Sequence, residues 1–159
     1  VVSNVKNAAF PGGFGGFTNE NKFVVAESMT ESQAMELGIR DGCEFGPVLI
    51  VNGVANQQVY SGNSGYNPRT VIGQRADGVV IIICADGRQA GSLGATYKDM
   101  IDLLTAYGAV NACNMDGGSS SVMLYRDYNT GEVSMINSYS VLQSEPRRMP
   151  NFWMVKPLQ

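Results

Sequence analysis

A chain of 159 residues, 44% hydrophobic and 16% charged, is long enough for one domain with a real core and too apolar to be disordered. A net charge of −3, with no basic cluster beyond Arg147-Arg148, argues against nucleic acid as the main partner, and no apolar stretch is long enough to span a membrane as a helix. Histidine is absent, which removes histidine triads, histidine general bases and histidine-containing zinc sites, so acid–base chemistry falls to Asp, Glu, Tyr, Lys or Cys.

Residues 1–21, rich in Gly, Asn and Phe, predict an irregular loop. Lys22 to Glu27 predict a short strand. Thr30 with Gln33 three residues on forms a capping box and starts a short helix ending near Gly38. Phe45-Gly46-Pro47 turns the chain into a strand, Val48 to Val51, closed by the Asn52-Gly53 turn; Ser61 to Pro68 is a loop dense in breakers. Arg69 to Arg75 and Val79 to Cys84 predict a hairpin about Ala76-Asp77-Gly78. The return strand is apolar on both faces, which predicts a central place in the sheet.

The strongest helix signal follows. Thr96 is its cap, Tyr97, Met100, Ile101, Leu104 and Tyr107 share one face and read as core, and Gly108 is the stop. Ala109 to Cys113 predicts a core strand, and a second apolar run, Ser121 to Tyr125, leads into a hairpin across Asn129-Thr130-Gly131. Phe152 to Val155 predicts a last strand. The expectation is one α+β domain with a mixed, largely antiparallel sheet, one main packed helix and a second short helix.

Between the two apolar runs lies Asn114-Met115-Asp116-Gly117-Gly118-Ser119-Ser120-Ser121. The glycines permit positive φ and close approach to the main chain, and the N–H and hydroxyl groups supply donors. A carboxylate beside such an anion cradle suggests hydrolysis or transfer at a phosphorylated or sugar-like group. Gly-Gly after Asp is also a common tight turn.

A second strand ends in Asp86-Gly87-Arg88. If the two strands are neighbours running the same way, the helix is their crossover and both carboxylates lie at one sheet edge, where ligands of α/β folds bind. Arg69 opens the strand paired with the first and belongs at the same end. Two carboxylates with two arginines form a phosphodiester or glycoside site; a buried structural Arg69–Asp116 pair would look the same in sequence. Asp86, Asp116 and Asn114 are hard oxygen ligands suited to a divalent cation, but no spacing fixes such a site, and no metal or cofactor is predicted. The three cysteines, Cys43, Cys84 and Cys113, read as structural thiols, with a Cys84–Cys113 disulfide between neighbouring strands left open.

Asn67-Pro68-Arg69-Thr70-Val71-Ile72-Gly73, Ala85-Asp86-Gly87-Arg88 and Asn114-Met115-Asp116-Gly117-Gly118-Ser119-Ser120 resemble, in order, the motifs of the phosphodiester glycosidase family. Phe45-Gly46-Pro47-Val48-Leu49 with Asn52-Gly53, and Arg147 with Asn151, extend the resemblance over about Lys22 to Val155. It implies cleavage of a sugar–phosphate diester at the anomeric carbon, in a polysaccharide or glycan. Asp116 is then the catalytic carboxylate and Asp86 its partner. Arg69 and Arg88 meet the phosphate, with Arg147 a third candidate, because a guanidinium neutralises a departing phosphate as a rigid fork. Asn114, Gly117, Gly118, Ser119 and Ser120 orient the ligand.

Two departures qualify the match. The family's Asn-Gly-Gly-Phe-like motif has no clear counterpart here, which makes the chain the expected C-terminal part of a longer domain. The Asp116 loop also has one glycine fewer than the usual Asp-Gly-Gly-Gly-Ser. A sheet edge left open by missing strands is expected to pair with a second copy or with the N-terminal segment of a parent chain. The resemblance also implies an extracytoplasmic or secreted setting. The rival expectation is a binding module on the same fold that holds polysaccharide or wall polymer without turnover.

Overall fold

The computed structural model describes residues 12–139 and 146–156. Its centre is a five-stranded antiparallel sheet in the order β5-β4-β8-β6-β7: β4 (Val48–Val51), β5 (Val54–Ala55), β6 (Arg69–Arg75), β7 (Val80–Ala85) and β8 (Ala109–Met115). A smaller sheet, β2-β1-β3, packs on one face: β1 (Phe14–Thr18), β2 (Phe23–Ala26) and β3 (Ile39–Glu44). The main helix α3 (Tyr97–Ala106) covers the other face, with α2 (Gln57–Ser61) beside it; α1 (Glu31–Glu36) joins β2 to β3. A hairpin of β9 (Leu124–Arg126) and β10 (Val133–Met135) follows the Asp116 loop. The α+β expectation stands.

The central strands are apolar on both faces because both faces are covered. On β6, Val71 joins Met100, Ile101 and Leu104 in the core beneath α3, while Ile72 joins Phe17 and Phe23 beneath the small sheet. On β8, Ala112 and Cys113 divide the same way. This alternation is the two-residue period of a strand read on two buried surfaces. Gln74 fastens the layers: its Oε1 accepts from Phe23 N at 2.7 Å, and its Nε2 donates to the carbonyls of Asn21 and Gly78.

Helix ends match their sequence signals. Thr30 and Thr96 each accept from the backbone N–H three residues on, with Gln33 and Asp99 returning the bond to the cap backbone. The Asn52-Gly53 turn has positive φ at both residues (50° and 79°), which suits a two-residue hairpin loop.

Several expectations are corrected. The irregular loop over 1–21 contains strand β1; residues 1–11 of it lie outside those described. Phe14 and Phe17 alone carry too little alternation to predict a strand, and the glycines between them answer to packing: a Cβ at Gly15 would lie 2.9 Å from the Phe23 ring. The mostly polar β3 was not predicted, and it forms because β1 offers it a pairing edge. Neither β5 nor α2 was predicted. β7 is at the end of the sheet order, not its centre: its apolar run reflects Ile81 and Ile83 facing one core and Ile82 the other. Phe152 to Val155 is not a strand; Trp153 instead packs edge-on against Phe17, 5.6 Å between ring centroids. Tyr107 ends α3 as its C-cap and is exposed.

β7 and β8 run the same way and α3 connects them, but they are not neighbours: β6 lies between, antiparallel to both. All three cysteines are free. With Cys84 opposite Thr70 and Cys113 opposite Ile72, a Cys84–Cys113 bridge would have to cross two strand spacings, roughly 9–10 Å, beyond disulfide reach.

Candidate functional site

The strand directions bring three loops to one edge of the sheet. β7 delivers Asp86, β8 delivers Asp116, and Arg69 opens β6 between them, opposite Ala85 and one residue from the Thr70–Met115 pair. Backbone bonds lace these loops together: Asn67 and Ala95 exchange N–H and carbonyl, and Gly118 N donates to Pro68 O at 2.9 Å. Gly117 packs so closely on this seam that a Cβ there would lie 2.6 Å from Pro68 O. Gly118, at φ 58°, begins a short 3-10 turn, Gly118–Ser120, that folds the loop back under its own aspartate.

A cleft of about 270 Å³ opens here, lined by Phe45, Gly46, Asn67, Arg69, Arg88, Tyr97, Asn114, Asp116, Gly117 and Gly118. It is just below the usual range of small-ligand pockets, roughly 300–1,000 Å³, a size for one sugar-sized group rather than a polymer segment. Among the described residues two guanidinium groups line it against one carboxylate, so its charge favours an anion.

Each expected residue has a definite place. Asp116 is half exposed; its Oδ2 accepts from the buried Ser120 hydroxyl at 2.7 Å and lies 3.9 Å from Arg147 Nη1 at the rim. Its Oδ1 carries no hydrogen bond among the described residues. Arg69 is buried, and its donors are largely committed: Nε to Ala95 O at 3.0 Å, and Nη2 to the carbonyls of Ser64 and Gly65. Its guanidinium lies 4.0 Å from the Tyr97 ring centroid, a cation–π contact. No carboxylate pairs with it among the described residues, so the structural Arg69–Asp116 pair does not form, and its Nη1 is unbonded. Arg88 is exposed, held at Nη2 by Asn67 Oδ1 at 2.8 Å, with its guanidinium beside Gly118. Its φ of 56° is rare for a side-chain-bearing residue and turns it toward the Asp116 loop.

Asn114 is 2% exposed and donates from Nδ2 to Gly46 O and Met115 O, each at 2.8 Å. Ser119 and Ser120 do not line the cleft: the Ser119 carbonyl accepts from Tyr139, and Ser120 works beneath Asp116. Asp86 does not line it either. Its carboxylate accepts from Ser138 N at 3.0 and 3.1 Å and from Asn137 Nδ2 at 3.2 Å, tying the end of β7 to the segment leaving β10. Among the described residues no three His, Cys, Asp or Glu side chains gather as a metal site.

Sequence reasoning missed Phe45, Gly46, Asn67 and Tyr97 as cleft residues. Tyr97 was read as core from its helical spacing, yet it is the first residue of α3, where the helix end faces the loops, and it supports Arg69. Its position directly after the Thr96 cap was the available signal.

A sequence model of the phosphodiester glycosidase family matches residues 1–156. A SPbeta prophage-derived uncharacterized protein of Bacillus subtilis, YomE, is 38% identical over 87 residues, covering 53% of this chain and 14% of that protein. Among solved structures, the zebrafish N-acetylglucosamine-1-phosphodiester alpha-N-acetylglucosaminidase catalytic domain, auto-inhibited by its pro-peptide, matches with a TM-score of 0.63 at 18% identity, over 85% of this chain and 48% of that one. A hypothetical protein from Synechocystis matches with a TM-score of 0.46 at 28% identity, over 63% of this chain and 19% of that one. The zebrafish likeness bears on the fold alone. This chain spans about half the zebrafish chain and a small part of the Bacillus protein.

Proposed function

Because the chain belongs to the phosphodiester glycosidase family, we propose that its cleft hydrolyses a glycosyl phosphodiester of a polysaccharide or cell-surface glycan, in an extracytoplasmic setting. One observation carries this reading: Asp116, the single carboxylate among the described residues that line the cleft, shares it with two guanidinium groups. Asp116 acts at the anomeric carbon, as nucleophile or as base toward water. The bond from that carbon to the phosphate oxygen breaks. The departing phosphate monoester is a good leaving group that needs charge neutralisation more than a proton, and Arg88 supplies it from an exposed position, with Arg147 at the rim. Arg69 contributes a fixed positive charge through its unbonded Nη1, while its other donors hold the wall. Asp86 serves as a positioning residue rather than the second catalytic carboxylate, since its oxygens are occupied by Ser138 and Asn137.

The test is hydrolysis of a panel of sugar-1-phosphodiesters by this chain and by Asp116→Asn, with sugar binding measured alongside. Turnover that falls on the order of 10²–10⁴-fold in the variant supports the proposal. One carboxylate among the described cleft residues also suits the rival reading, a module that binds polysaccharide or wall polymer without turnover. Under it, neither protein hydrolyses any diester, and both retain affinity.

A further inference from the structure

We propose that Asn114 Oδ1 reads a hydrogen-bond donor on the bound sugar, a ring hydroxyl or an amide N–H, so that the cleft selects glycosyl groups by what they carry where they meet its floor. The inference rests on the glycosyl reading of the cleft above and names what that sugar must present.

The orientation of the Asn114 amide is determined by its surroundings. Nδ2 faces two carbonyl oxygens, Gly46 O and Met115 O, both at 2.8 Å. Turning the amide over would set its oxygen against two acceptors, so nitrogen stays on that side. Oδ1 is then left as the buried side-chain polar atom with no partner among the described residues. A buried acceptor without a donor is costly, and such atoms in native proteins call for an explanation. Here the residue forms part of the cleft wall. No donor among the described residues reaches Oδ1: Arg69 turns Nε and Nη2 to Ala95, Ser64 and Gly65, and Arg88 turns Nη2 to Asn67.

The chemistry also sets the substrate's direction. A phosphate oxygen on Oδ1 would place lone pairs against lone pairs, so the phosphate belongs with the guanidinium groups. The neutral, donor-bearing end of the ligand belongs on Asn114. A site built to bond a donor rejects analogues that lack it more sharply than a hydrophobic pocket rejects a missing methylene.

The test is binding, not turnover. Calorimetry on this chain uses the 1-phosphates of glucose, galactose, mannose and N-acetylglucosamine, then the deoxy and deoxyfluoro analogues of the tightest of them. Replacement at one ring position by hydrogen and by fluorine is expected to weaken binding by about 10- to 100-fold, since fluorine keeps an acceptor but removes the donor. Loss on N-methylation of an acetamido group identifies an amide N–H; loss at a ring carbon identifies a hydroxyl. In Asn114→Ala the same replacement is expected to cost less than about 2-fold, because the acceptor is gone. Should that variant not fold, a crystal structure of the unaltered chain with the tightest ligand decides, a donor within about 3.2 Å of Oδ1 supporting the proposal. Replacement losses that are flat around the ring, a water on Oδ1 in the complex, or no binding by any of the four overturns it. Binding with a position-specific loss but no diester hydrolysis would remove the hydrolase reading and leave this one standing.

Discussion

Ser120, buried beneath the cleft, donates its hydroxyl hydrogen to Asp116 Oδ2 at 2.7 Å. The 3-10 turn that makes this bond closes with Ser120 N on Gly117 O at 3.0 Å, so backbone and side chain hold the same aspartate. One carboxylate oxygen is fixed, and the other carries no hydrogen bond among the described residues. On the proposed reading, Ser120 is a positioning residue for Asp116. Ser120→Ala is expected to lower kcat about 10-fold, the scale of one hydrogen bond to a charged group, with KM within about 3-fold. Steady-state kinetics on a glycosyl phosphodiester reads this, and Ser120→Thr should recover part of the loss. An unchanged kcat in a folded Ser120→Ala protein would dissociate the bond from catalysis.

Arg69 and Arg88 line the same cleft but differ in burial, and lysine substitution should separate them. An ammonium cannot reproduce the three carbonyl bonds of the Arg69 fork or its stacking on Tyr97. Arg69→Lys is expected to cost about 2–3 kcal/mol in urea unfolding. Arg88→Lys, at an exposed position, should change stability by less than about 0.5 kcal/mol while weakening sugar-phosphate binding several-fold. Equal stability losses in the two variants would contradict the difference in burial.

Asp86 is expected to matter for stability more than for chemistry. Removing its carboxylate leaves Ser138 N without its acceptor and Asn137 Nδ2 with Ser121 O alone. Asp86→Ala should cost about 1–2 kcal/mol and leave kcat within about 3-fold. Abolished turnover in a variant with an unchanged melting temperature would return Asp86 to the catalytic pair that the sequence suggests.

The thiols predict an alkaline limit. Burial holds Cys113 well above the ordinary thiol range, and burial also raises Cys43 and Cys84. A raised folded pKa means the thiol ionises first in the unfolded chain. The resulting stability is fully present below the unfolded value of about 9 and is lost as pH rises beyond it. The urea midpoint should fall between about pH 8 and pH 10, and Cys113→Ala should show a shallower fall, though from a lower start. A slope identical in the two proteins would assign the alkaline loss to other groups.

Local signals decided much of this protein before any tertiary contact was known. Thr30 with Gln33, and Thr96 with Asp99, announce their helices because a capping box is satisfied within four residues. The β6–β7 hairpin and the Asp116 loop are legible for the same reason, as turn residues set between apolar runs. Asp116 stands out as a carboxylate delivered from a core strand onto two glycines, and the ordered motifs point to the phosphodiester glycosidase family that the chain matches. What the sequence left open depends on partners distant along the chain. β1 and β3 exist as strands because they pair with each other across α1, and neither carries a strong local pattern. The apolar run of β7 marks two covered faces, and only the sheet order shows that the strand sits at the end. Asp86 and Asp116 read as equivalent Asp-Gly strand ends. The tertiary structure separates them by placing Ser138 over one carboxylate and a cleft before the other. Asn114 is singled out in sequence as a ligand-orienting residue only through the family resemblance; the carbonyls of Gly46 and Met115, converging on its nitrogen, leave its oxygen unpaired among the described residues.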